Sequence, residues 1–147
     1  MGLFSRNKPE PKPTPQSAIS PEEEMAAMPR ERKGLQRIRP MLDIFIEKLK
    51  SIYGDSLKSV VLFGSYARGE EREESDVDLM LLLDMTEEEI DKKDDALGMA
   101  QFQMDCIDPM LDIQPVTIPL QRFKKWKSIH PLYQNIIEDG VTIYEAA

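Results

Sequence analysis

The chain has 147 residues, a net charge of −8 and 41% hydrophobic residues, enough for one domain with a buried core. That acidic balance disfavours direct nucleic-acid binding, which needs clustered Lys and Arg against phosphate. Single Cys106 and single His130 exclude an internal disulfide, a thiolate zinc cluster and multi-His metal sites, and no apolar run is long enough to span a membrane.

Residues 1–34 predict a disordered, proline-rich leader, with Pro9, Pro11, Pro13, Pro15 and Pro21 and almost nothing apolar over residues 6–21. Ser20-Pro21-Glu22-Glu23 reads as a helix start, so a short helix is expected over 21–28, stopped by Pro29 and Gly34. The extreme N-terminus lacks the apolar segment of a signal peptide, and a cytoplasmic protein is expected. Residues 35–147 are expected to form the domain. Charge divides the same way: residues 1–40 carry a net +3, and the remainder carries −11.

Within the domain, Ile38, Leu42, Phe45, Ile46, Leu49 and Ile52 recur at helical spacing and predict a helix over Arg37–Tyr53. A buried strand follows over Ser59–Phe63, then Gly64-Ser65, then a helical turn opened by Tyr66-Ala67. The second strand is Val77–Leu83. Thr86 and Glu89 form a capping box for a charged helical segment whose apolar face is Ile90, Leu97, Met99, Phe102 and Met104. Leu111–Ile118 is the third strand, and Pro115 points to an edge or bulged position because proline cannot donate a ladder hydrogen bond. The remainder predicts a short amphipathic helix, a helix over Pro131–Glu138, an Asp139-Gly140 turn and a strand over Val141–Tyr144. Arg122, Lys124, Lys125 and Lys127 read as a solvated helix face, Phe123 and Trp126 as core or contact residues, His130 as structural and Cys106 as a buried apolar side chain.

The chemistry concentrates in residues 59–84. Gly64 has no Cβ, so the backbone there can approach a phosphate, and the start of the following helical turn adds partial positive charge. Period-two alternation puts Asp76 and Asp78 on one strand face, with Val77, Leu79, Leu81 and Leu83 on the other. Two neighbouring carboxylates repel, and Mg²⁺ suits such hard oxygen donors.

Gly64-Ser65, ten intervening residues and Asp76-Val77-Asp78, together with Arg68-Gly69, resemble the minimal branch of the DNA polymerase β-like nucleotidyltransferase superfamily. That resemblance implies an α+β fold with a small mixed sheet and helices packed mainly on one face. It also implies two Mg²⁺ ions and transfer of AMP from ATP to a hydroxyl. Asp76 and Asp78 would be ligands, with Asp112 as third carboxylate; Asp105 and Asp108 are its rivals. Gly64, Ser65 and Arg68 would serve the nucleotide, Arg68 having an equal alternative in a salt bridge to Glu70, Glu71 or Asp76. Small relatives of this kind act as antitoxins on a tyrosine of a HEPN-type toxin, which implies a hetero-oligomer. An aminoglycoside-type small-molecule transferase and a non-catalytic partner-binding module are the competing readings.

Overall fold

The computed structural model describes the backbone of residues 31–72 and 75–146, and side chains from Lys33 onward within those ranges. The leader up to residue 30 and the helix expected at 21–28 lie outside the described residues. Helix α1 (Glu31–Tyr53) leads through a single 3₁₀ turn into strand β1 (Leu57–Phe63). After the four-residue helix α2 (Ser65–Arg68) comes β2 (Val77–Leu83), then α3 (Glu87–Asp91) and α4 (Asp94–Ile107). The chain closes with β3 (Ile113–Pro119), α5 (Leu120–Trp126), α6 (Pro131–Asp139) and β4 (Val141–Glu145).

The four strands form one mixed sheet in the order β3-β2-β1-β4. β1 runs antiparallel to both β2 and β4, whereas β2 and β3 are parallel, joined by the crossover through α3 and α4. β3 is an edge strand, the first of the two positions open to Pro115. The two central strands are nearly continuous apolar runs because both their faces are covered. On one face Val60, Leu62, Val77, Leu79, Leu81 and Leu83 join Leu42, Phe45 and Leu49 of α1 and Leu97, Ala100 and Met104 of α4 in the larger core. On the other, Val61, Met80 and Leu82 meet Phe123, Tyr133 and Ile136 of α5 and α6. Phe123 is fully buried and packs against Tyr133 at 5.2 Å between ring centroids. Phe123→Ala is therefore expected to lower unfolding stability by about 3–5 kcal/mol, read as a reduced urea midpoint.

Local chemistry explains the boundaries. Thr86 and Glu89 make the expected capping box at the start of α3. His130 caps α6 by accepting from the Leu132 N–H at 3.2 Å and stacks on Tyr133. Three expectations are corrected. Gly34 does not stop a helix; it is buried inside α1, where a Cβ would stand 2.7 Å from the Glu71 carboxyl carbon of the crossing loop. Met99 and Phe102 do not face the core, since Leu97, Ala100 and Met104 already fill that side of α4. Cys106 is exposed rather than buried, two residues past Met104 and so about 200° round the helix from it. Among the described residues no helix is long and apolar enough to cross a membrane.

Candidate active site

Strand register brings the acids together. Phe63, the last residue of β1, pairs with Asp78, so the Gly64-Ser65 turn leaves the sheet directly beside that carboxylate. In the parallel ladder Val77 pairs with Ile113 and Asp78 with Gln114, which sets Asp76 beside Asp112 one step earlier. The Val77 N–H donates to the Asp112 carbonyl at 2.8 Å and locks this approach. Val77 and Leu79 turn into the larger core, so Asp78 projects from the opposite face, in line with Met80. There the apolar cover of α5 and α6 includes Met80 but leaves Asp78 half-exposed and Gln114 exposed.

Gly64 stands against that acid. Its backbone sits at φ 78° and ψ −155°, a region essentially reserved for glycine. A Cβ there would overlap an Asp78 carboxylate oxygen and lie 3.2 Å from its Cγ. The missing side chain thus lets the turn close down on the carboxylate. The Gly64 carbonyl accepts from the Ala67 and Arg68 N–H groups at 3.1 and 3.2 Å, which holds α2 in place. Ser65 and Tyr66 open that helix, and the first N–H groups of a helix have no acceptor within it.

The acids repel one another. The Asp76 carboxyl is held above its ordinary value by a hydrogen bond shared with Asp112 and by that neighbour's charge. Burial pushes Asp78 up, and the Asp76 charge adds to it; Arg68 pulls the other way. A carboxyl whose pKa is higher folded than unfolded binds its proton more tightly when folded. The folded state therefore gains relative stability as pH falls, and at neutral pH the ionised cluster opposes folding. Mg²⁺ that relieves this repulsion is expected to raise Tm at pH 7, by about 1.4 kcal/mol at tenfold its Kd. The gain should shrink as pH falls and Asp76 and Asp78 take up protons; differential scanning fluorimetry with and without MgCl₂ reads both.

The donor set fits Mg²⁺ in kind: all oxygen, carried on adjacent strands and mutually repulsive. Among the described residues no three acidic or imidazole side chains already converge on one metal-sized point. Since Mg²⁺ commonly takes only one or two protein carboxylates and completes its shell with water and phosphate, pairs of these acids suffice. Of the rival acids, Asp108 caps the end of α4 by accepting from the Met110 N–H at 3.1 Å, and Asp105 is exposed on α4. Neither stands beside Asp76 in the register that holds Asp112.

Arg68 takes its alternative partner, donating from Nε to Glu70 at 2.9 Å at an exposed position, while it still senses the charges of Asp78 and Asp139. Two contributors were not read from the sequence as supports. Gln114 Nε2 donates to Asp112 Oδ1 at 2.6 Å and orients that carboxylate. Its place two residues on, on the same strand face, was the available signal. Asp139, at the end of α6, reaches Arg68 electrostatically across a long sequence separation and leaves no local signature.

The chain is similar to several known proteins. A Methanocaldococcus jannaschii protein, provisionally named a protein adenylyltransferase, is 36% identical over 110 residues, covering 71% of this chain and 70% of that protein. A second protein of that organism, with the same provisional name, is 49% identical over 41 residues, 28% of this chain and 41% of its own. A crystal structure of a toxin–antitoxin complex with AMP-PNP superposes with TM-score 0.46 at 21% identity, over 69% of this chain and 72% of the matched one. The family model described as the nucleotidyltransferase domain matches residues 42–141, from the middle of α1 to the start of β4, and the chain belongs to that family.

Proposed function

We propose that this nucleotidyltransferase moves AMP from ATP to a hydroxyl carried by a protein, in the manner of an antitoxin that modifies a tyrosine of a HEPN-type toxin partner. The observation that supports the transfer chemistry is the placement of Asp78 against the Gly64-Ser65 turn, with Asp76 two residues before it and Asp112 beside Asp76. The protein acceptor rests on the sequence resemblance and on the name of the relative that covers 71% of the chain. Asp76, Asp78 and Asp112 would hold Mg²⁺, which when bound supplies positive charge to the triphosphate and lowers the pKa of the acceptor hydroxyl.

The protein's own groups do the positioning. Ser65 and the backbone N–H groups at the start of α2 hold the β- and γ-phosphates, and the glycine lets them come close. Asp112, aligned by Gln114, stands nearest to Asp76 and is the candidate to accept the hydroxyl proton. Arg68 releases Glu70 to meet charge developing on the leaving pyrophosphate; an exposed ion pair costs little to exchange.

Incubation with α-labelled ATP, MgCl₂ and the protein encoded beside it tests the reading. Label is expected on a tyrosine of that protein, with release of pyrophosphate. Label on an aminoglycoside would favour the small-molecule alternative, and no transfer despite nucleotide binding would leave a non-catalytic module.

A further inference from the structure

The outer side of α4 is an apolar ridge that no element among the described residues covers. Met99 is 56% exposed and Phe102 62%, and exposed Cys106 shares the ridge. At 100° per residue, Met99, Phe102 and Cys106 fall within about 60° of one another, opposite the core-facing Leu97, Ala100 and Met104. Gly98 lies beside them in mid-helix, where glycine is unfavourable, yet nothing stands within 4 Å of a Cβ built there. No packing inside the domain accounts for that glycine. A hollow next to Phe102 suits a segment approaching from outside, and methionines adapt to such a contact.

The charge around the ridge identifies what fits. Asp94 and Asp105 edge one side and Asp95 lies a turn along it, all exposed. On the other side Gln103 is held by Lys48 of α1 at 2.8 Å. In an antiparallel pair of two copies, the two-fold axis would place both acidic edges side by side, in a domain whose residues 41–147 already carry −11. A second copy is therefore disfavoured, whereas an apolar helix with Lys or Arg along one edge is complementary.

We infer that the outer face of α4 docks a basic-edged amphipathic helix of the acceptor protein, with Phe102 as its anchor and Gly98 as its hollow. This rests on the acceptor being a protein, as proposed above. The probe is a synthetic 18-residue helix with leucines at i, i+3, i+4 and i+7 and lysines along one edge, titrated into ¹⁵N-labelled protein. Expected are amide shifts confined to residues near 98, 99, 102 and 106, weakened at least about fivefold between 50 and 300 mM salt. Phe102→Asp should abolish them. Gly98→Gln should weaken binding about tenfold while raising Tm, which a purely structural glycine would not do.

Absence of shifts on α4, equal binding of a glutamate-edged peptide, or a dimer in sedimentation that Phe102→Asp disperses would each overturn the inference. Adenylyl transfer to a protein that persists in Phe102→Asp with unchanged KM would retract the docking face alone. Peptide binding on α4 without transfer to any protein would retract the functional reading alone.

Discussion

Asp78→Asn is expected to abolish nucleotidyl transfer and, at the same time, to make the protein more stable at neutral pH. Removing a ligand of the proposed Mg²⁺ site forfeits several kcal/mol of charge stabilisation in the transition state. At about 4 kcal/mol the rate falls roughly a thousandfold. Stability moves the other way because the ionised Asp78 is half-buried and faces Asp76, so its charge opposes folding at pH 7. Asparagine keeps the shape and removes the charge. Its Tm should exceed the parent's by about 2 °C without Mg²⁺, and the Mg²⁺-dependent rise should shrink. A variant that keeps its transfer rate would remove Asp78 from the chemistry; one that loses both rate and Tm would make it a structural residue.

Gly64→Ala is expected to cost both stability and rate. Forcing a side chain into φ 78°, ψ −155° costs about 1–3 kcal/mol, and the new methyl overlaps the Asp78 carboxylate. Relief requires the acid or the turn to move, and a displacement near 1 Å at a reacting centre is worth about a hundredfold in rate. Gly69→Ala separates the two effects. Gly69 also has positive φ, 72°, but in the ordinary left-handed region at the end of α2, so alanine there should cost about 1–2 kcal/mol of stability with transfer retained. Parallel kinetics and denaturant melts on the two variants would distinguish backbone strain from disturbance of the acid.

Strand β2 was readable to the residue because its Leu-rich run is bounded by Asp76 and by charge, and burial on both faces leaves no polar alternation to confuse it. The acids were readable because their side is fixed by the period of a strand. Helix α4 was misread for the opposite reason. It carries two apolar stripes, and periodicity alone cannot say which one the domain covers; Met99 and Phe102 lost to Leu97, Ala100 and Met104. Gly34 was misread because glycine marks both helix ends and close approaches, and only the path of the Glu71 loop decides between them. The support of Asp112 by Gln114 needed the rotamers of both side chains, which sequence does not carry.

The parallel pairing of β2 with β3 has a kinetic consequence. Asp76 and Asp112 are 36 residues apart in the chain and meet only after the crossover through α3 and α4 has closed, the kind of non-local step that comes slowly. A nascent chain that has emerged only as far as β2 can pair its antiparallel hairpin without yet bringing these two charges together. On the proposed mechanism, transfer of a nucleotide must therefore wait until β3 has paired with β2.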